Sequence, residues 1–219
     1  MTDAVLFDLY DTFVWSRWGE LTEHIGERLG VDRATMHAAY DVTRPARSTG
    51  AYGSAEGDMA AVVSATGVEP APPLIKELTE YERRFLRDGG ITMYDESLEV
   101  AAELRSRGTK TALVSNCSHS TIHVVEQLGL AGALDVLVLS VTAGVSKPDA
   151  RIYRAALEPL GTPPESAIFI DDQVRYCDGA AAVGIGTRLI VRPSSNPMEG
   201  IAADTNGHPV ITDLRALLV

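Results

Sequence analysis

The chain is short of cysteine, of positive charge and of long apolar runs, and each shortage removes a class of protein. Two of its 219 residues are cysteine, Cys117 and Cys177, so it is no disulfide-stapled scaffold; reduced thiols and a cytoplasmic address are expected. Lys and Arg number 19 against 30 Asp and Glu, a net charge of −11. The positive footprint that nucleic acid or an anionic membrane requires is therefore missing. No segment approaches the roughly 18 apolar residues that span a bilayer. The start, Met1-Thr2-Asp3 before a short apolar run, has neither the basic region nor the length of a signal peptide. Repeats and low-complexity tracts are lacking too. What is present is 45% apolar and 22% charged residues, the composition of an ordinary globular protein. A domain of about 150 residues with an insertion of roughly half that size fits the length, and a small-molecule partner fits the charge. A monomer or a homodimer is expected.

Five apolar runs rich in Val, Ile and Leu, at residues 4–7, 111–114, 136–139, 167–170 and 189–191, lack the in-out alternation of a half-exposed sheet and read as buried strands. Helical spacing separates the last four, at 121–128, 150–160 and 178–183. Strands alternating with helices predict a parallel sheet covered on both faces. A further helix over 95–107, closed by Gly108, precedes the second strand. Between the first strand and Thr111 no strand-like run is found. Helical spacing at 21–30, 33–42, 55–66 and 73–86, broken at Thr49-Gly50 and at 70–73, predicts a helical cap over the carboxyl edge of the sheet. The tail 194–207, rich in Pro, Ser, Asn and Gly, reads as a surface loop before a terminal helix from Thr212.

Sites in open parallel sheets form beyond the carboxyl ends of the strands. Asp8 to Thr12 follow the first strand, Ser115-Asn116 the second, Lys147-Pro148-Asp149 the third and Asp171-Asp172 the fourth. Asp8 is a carboxylate that can attack phosphorus or carbon to give a covalent intermediate, splitting one hard displacement into two easier ones. Ser115 can donate to a developing anion, and Lys147 can hold charge beside Asp8. Each alone would be a turn former or a solvated side chain; their arrangement at one edge is what points to chemistry.

Four segments in order, Phe7-Asp8-Leu9-Tyr10-Asp11-Thr12, Leu113-Val114-Ser115-Asn116, Lys147-Pro148-Asp149 with Tyr153, and Phe169-Ile170-Asp171-Asp172, resemble the haloacid dehalogenase superfamily of hydrolases over nearly the whole chain. The resemblance implies a three-layer, Rossmann-like α/β core with a parallel sheet of order 3-2-1-4-5 and an inserted helical cap. The core would comprise residues 1–13 and 90–219, and the cap 14–89. It also implies Asp8 as nucleophile and a small anionic substrate.

Three carboxylates, Asp8, Asp171 and Asp172, repel one another unless a cation lies among them. Magnesium, which takes oxygen ligands, suits Asp8, the main-chain carbonyl of Tyr10 and one or both of Asp171 and Asp172. Resemblance to the superfamily's magnesium phosphatases implies this arrangement, with Asp172 a direct ligand. Those phosphatases carry a second aspartate two residues after the nucleophile, where this chain has Tyr10. A tyrosine there resembles the 2-haloacid dehalogenase branch, whose halide leaves without a proton. That branch implies Asn116 as a contact for a substrate carboxylate and Tyr153 near Lys147. Tyr10 could equally be an apolar wall. Asp11 either replaces the missing acid or forms a turn with Thr12.

The expectation is a magnesium-assisted phosphate monoester hydrolase working through an aspartyl phosphate. A metal-independent 2-haloacid dehalogenase is the alternative, and a non-catalytic binding module on the same fold is a third reading. Candidate catalytic residues are Asp8, Tyr10, Asp11, Ser115 and Lys147; Thr12, Asn116, Arg44, Arg47 and Tyr153 are candidate substrate contacts. Arg44 and Arg47, in the cap near Tyr40, either grip an anion or are solvated surface arginines. His119 and His123, four apart, read as polar helix residues because no fourth ligand is near, and Cys117 reads as packing.

Overall fold

A computed structural model describes residues 2–192 and 205–219. Strands β1 (Ala4–Phe7), β4 (Lys110–Ser115), β5 (Val136–Leu139), β6 (Ala167–Asp171), β7 (Gly186–Ile190) and β8 (Val210–Ile211) form a six-stranded sheet of order β5-β4-β1-β6-β7-β8. Every pairing in it is parallel. The five expected strands occupy the expected order 3-2-1-4-5, and β8 adds an edge strand. Helices α5 (Ser97–Ser106), α6 (Ser120–Gln127), α7 (Leu130–Ala133), α8 (Ser140–Ala143), α9 (Ala150–Leu160) and α10 (Val174–Ala181) provide the crossovers.

The missing alternation in the strands has a direct cause. On β1, Val5 and Phe7 pack with Val100, Leu104, Leu113 and Val124, while Ala4 and Leu6 pack with Ile152, Tyr153, Leu157 and Phe169. Both faces are covered, so each successive side chain is buried and apolar.

Helices α1 (Trp18–Leu29), α2 (Arg33–Ser48), α3 (Ala55–Ala65) and α4 (Pro72–Phe85) follow one another between β1 and the rest of the sheet. They share an apolar cluster of their own that includes Leu21, Ile25, Met36, Met59, Val62, Ile75 and Leu78. Asp32 and Ser54 start α2 and α3 by accepting the amides of Thr35 and Gly57.

Three expectations are corrected. The interval before Thr111 does contain strands: β2 (Val14–Ser16) and β3 (Ile91–Met93) pair antiparallel where the chain enters and leaves the helical insertion. At three residues each they are too short to show a period. The second cap helix continues past residue 42 to Ser48, through Pro45, because its far end packs against the core at α8. The terminal segment is β8 followed by a 3-10 turn, Leu214–Leu218, rather than a helix from Thr212. Residues 193–204 of the tail loop lie outside the described residues, while 206–207 form a turn. Among the described residues, no helix is long and apolar enough to cross a membrane.

Gly179 lets α10 lie against the turn after α8. A Cβ there would stand 2.8 Å from Tyr153 Oη and 2.9 Å from the Pro148 carbonyl oxygen. Gly179→Ala is expected to cost about 1–3 kcal/mol by overpacking. Thermal unfolding should fall by several degrees with an unchanged far-UV circular dichroism spectrum.

Candidate active site

Asp8 is fixed where β1 ends, its amide donating to the Ile170 carbonyl of β6 at 2.9 Å. The chain then turns tightly, with Phe13 and Val14 donating to the Leu9 carbonyl and Asp11 in the left-handed region at φ 56°. Aspartate tolerates that conformation better than bulkier residues. Arg192, just after β7, holds this turn from beneath. Its guanidinium donates to the Thr12 carbonyl at 2.6 Å and to Glu96 at 2.5 Å, over the Tyr94 ring. Both Arg192 and Glu96 are buried.

Lys147 reaches the same edge. Its Nζ donates to Asp8 Oδ1 at 2.5 Å and to Asp171 Oδ2 at 2.7 Å, beside the rings of Phe169 and Tyr176. The Asn116 amide clamps the lysine's own backbone, accepting from its N–H at 2.7 Å and donating to its carbonyl at 2.9 Å. Asp171 Oδ1 accepts the Gln173 amide. Asp8, Asp171 and Asp172 bring carboxylate oxygens within 4.8 Å of one another.

Three carboxylates against one ammonium leave two negative charges in a buried place. Burial first, then the Asp171 charge, push the Asp8 carboxyl up to about 7 despite Lys147. Asp172 is pushed up to about 10 by burial and by Asp171, Asp8 and Asp11. Burial works against the Lys147 charge, yet Asp171 and Asp8 outweigh it and raise the ammonium above its usual range. A divalent cation would offset those two charges, and oxygen donors are what magnesium takes, so the residues present fit that ion. Among the described residues, the buried hydroxyls Thr12 Oγ1 and Ser115 Oγ have no hydrogen-bond partner. Both belong to the segments that flank Asp8. Unspent donors in such a place suit the oxygens of a bound anion.

The other candidates are placed as follows. Tyr10 turns its hydroxyl to Thr121 Oγ1 at 2.9 Å, and burial raises it above the ordinary phenol range, so it stays protonated. Tyr153 is fully buried, its hydroxyl donating to the Tyr176 carbonyl at 2.7 Å and its ring edge-on to Phe169. Asn116 is committed to Lys147 and thereby sets the lysine's position. Arg44 pairs with Asp41 on the surface. Arg47 is half-buried over the Tyr40 ring, bonded to Thr43 Oγ1 and the Tyr40 carbonyl. His119, at the head of α6, takes Asp58 of the cap through both its amide, at 3.0 Å, and its ring, at 2.9 Å. His123 lies on the outer face with Glu126. Cys117 is buried packing.

Arg192, Glu96, Asp58 and Glu82 escape sequence reading. Each lies in an ordinary polar stretch and gains its place only from a partner many residues away. The sole sequence signal, a charged residue next to an apolar run, is too common to single them out.

An aspartate held by lysine at the carboxyl edge of a parallel sheet, with more carboxylates than one ammonium can balance, is the charged centre of this edge. The haloacid dehalogenase-like hydrolase family model matches residues 2–184, and the chain belongs to that family. It is 32% identical over 126 residues to the GMP/IMP nucleotidase YrfG of Escherichia coli (strain K12), covering 57% of this chain and 55% of that protein. It is 30% identical over 97 residues to the (S)-2-haloacid dehalogenase of Pseudomonas putida, covering 44% of this chain and 42% of that protein. The matched region thus spans about half the length of these curated relatives. The fold is shared with the HAD phosphatase of Thermococcus onnurineus, at a TM-score of 0.67 and 20% identity over 100% of this chain and 98% of that one.

The raised carboxyls have a consequence for stability. A carboxyl whose pKa is higher folded than unfolded holds a proton that the unfolded chain has released. Metal-free stability therefore falls as pH rises from about 4 through the folded values of about 7 and about 10. Thermal melts without metal should show this decline. Magnesium should raise Tm at pH 8 far more than at pH 5, the stabilisation at a hundredfold excess over Kd being about 2.7 kcal/mol. Asp172→Asn should raise the metal-free Tm at pH 8 and remove most of the magnesium increment.

Proposed function

We propose that the protein hydrolyses small phosphate monoesters with magnesium, through an aspartyl phosphate on Asp8. The observation that carries this reading is the charge count: Asp8, Asp171 and Asp172 within 4.8 Å, with Lys147 as the ammonium among them. A carbon–halogen hydrolase, which adds no phosphoryl charge, has no use for the third carboxylate.

In the proposed reaction the Asp8 carboxylate attacks phosphorus in line with the ester oxygen, forming an Asp8–phosphorus bond as the ester bond breaks. Lys147 favours the ionised form of Asp8 and faces the charge of the transferring group. The hydroxyls of Thr12 and Ser115 donate to phosphoryl oxygens. Asp8, the Tyr10 carbonyl, Asp172 and Asp171 would hold magnesium, which when bound would supply positive charge to offset the phosphoryl group. The Tyr10 hydroxyl is bonded to Thr121, and Asp11, the next carboxyl on the loop after Asp8, protonates the departing oxygen. Water then attacks phosphorus, releasing phosphate and restoring Asp8. Nucleoside monophosphates belong in the substrate panel because a relative is a nucleotidase.

A second reading is favoured by Tyr10 and by the dehalogenase relative: Asp8 attacks the carbon that bears a halogen. One experiment separates the two. Phosphate release from a panel of phosphomonoesters is expected with magnesium and lost with chelator. Asp8→Asn should reduce it to background, and Ser115→Ala should lower kcat by about a hundredfold. Chloride release from 2-chloropropionate, with no turnover of any phosphate ester, would instead establish the dehalogenase.

A further inference from the structure

Three consecutive residues at the head of α6 each hold a group from elsewhere in the chain. His119 takes Asp58 of α3 at 2.9 and 3.0 Å, Ser120 donates to Glu82 of α4 at 2.7 Å, and Thr121 meets the Tyr10 hydroxyl at 2.9 Å. The cap is thereby drawn onto the loop that carries the nucleophile. Tyr10 lies in the electric field of both Glu82 and Asp8.

Tyr40 and Arg47 of α2 face the same two carboxylates. Arg47 lies 4.9 Å over the Tyr40 ring and in the field of Asp58 and Glu82, and Tyr40 in the field of Glu82. Tyr40 is 6% exposed and Asp58 5%, yet Tyr40 Oη and Asp58 Oδ1 have no hydrogen-bond partner among the described residues. A buried hydroxyl and a buried carboxylate oxygen left unpaired each carry a desolvation cost that a ligand group would relieve. Asp58 Oδ1 only accepts, so what answers it must donate. Arg47, Arg83 and the His119 ring face the two carboxylates, but a carboxylate brought against Asp58 Oδ1 itself offers no donor and is repelled by it.

We propose that Tyr40, Asp58 and Glu82 form the leaving-group subsite and select phosphate esters whose alcohol part presents hydrogen-bond donors and carries no negative charge. This rests on the phosphomonoester reading above. It gives the two cap carboxylates a positive task, holding hydroxyl or amino groups, and a negative one, rejecting carboxylates. Discrimination by a buried polar group is strong because a substrate lacking the donor leaves that group unpaired.

The test compares kcat/KM, with magnesium, for 2-hydroxyethyl phosphate, 2-aminoethyl phosphate, propyl phosphate and phosphoglycolate, with p-nitrophenyl phosphate as reference. The two donor-bearing esters are expected to exceed propyl phosphate and phosphoglycolate at least tenfold. Asp58→Asn should narrow the gap to phosphoglycolate at least tenfold. Tyr40→Phe, which removes an unpaired buried oxygen, should narrow the gap to propyl phosphate while Tm holds or rises. Equal or better turnover of phosphoglycolate overturns the inference. So do unaltered ratios in both variants with all rates falling together, which is the mark of a structural role. Turnover of p-nitrophenyl phosphate with none of the four small esters overturns it as well. If no phosphate ester of any kind is hydrolysed, the phosphomonoester reading itself falls.

Discussion

Charge balance at the carboxyl edge of β1 and β6 governs the rest of this molecule. Lys147 bridges Asp8 and Asp171, all three buried, and the partly buried Asp172 stands beside them. Bringing such groups together is costly unless each charge is answered. Much of the surrounding structure serves that end. Asn116 grips the backbone of the lysine, Phe169 and Tyr176 line its stem, Gln173 fixes Asp171, and Arg192 ties down the loop beyond Asp8. The parallel sheet brings Asp8, Asn116, Asp171 and Arg192 together because each stands at or just beyond a strand end at one edge, and Lys147 joins them on the segment after α8.

That placement explains what sequence could reveal. The five central strands were legible because burial on both faces leaves unbroken apolar runs. Asp8, Ser115, Asp171 and Asp172 were legible because each follows such a run closely, and Lys147 because its Lys-Pro-Asp segment comes next after the third run. Strands β2, β3 and β8 were not, being two or three residues long and defined by their partners rather than by pattern. The direction of a side chain was equally hidden. Nothing in the segment around Tyr10 says that its hydroxyl turns to Thr121, and nothing near Asn116 says that its amide serves Lys147. Asp58, Glu82 and His119 meet only because α3 and α4 pack onto α6, a contact between segments far apart in the chain.

The cap's polar seam bears on which chemistry the edge supports. A 2-haloacid carries its own carboxylate, and the cap meets the head of α6 with Asp58 and Glu82, both buried. Burial raises the Glu82 carboxyl above its usual range, which marks how poorly that seam accommodates negative charge. The charge count in the core and the charge of the cap thus favour the same substrate: an ester whose negative charge lies on phosphorus, beside Asp8, and whose alcohol part is neutral or cationic.

The most direct measurement is the chemical fate of Asp8. Enzyme quenched in acid during turnover of a phosphate ester should yield a peptide containing Asp8 that bears a phosphoryl group, removable by hydroxylamine and missing from Asp8→Asn. A carbon-linked ester on that aspartate, or burst release of the alcohol with Asp8 unmodified, would contradict attack on phosphorus.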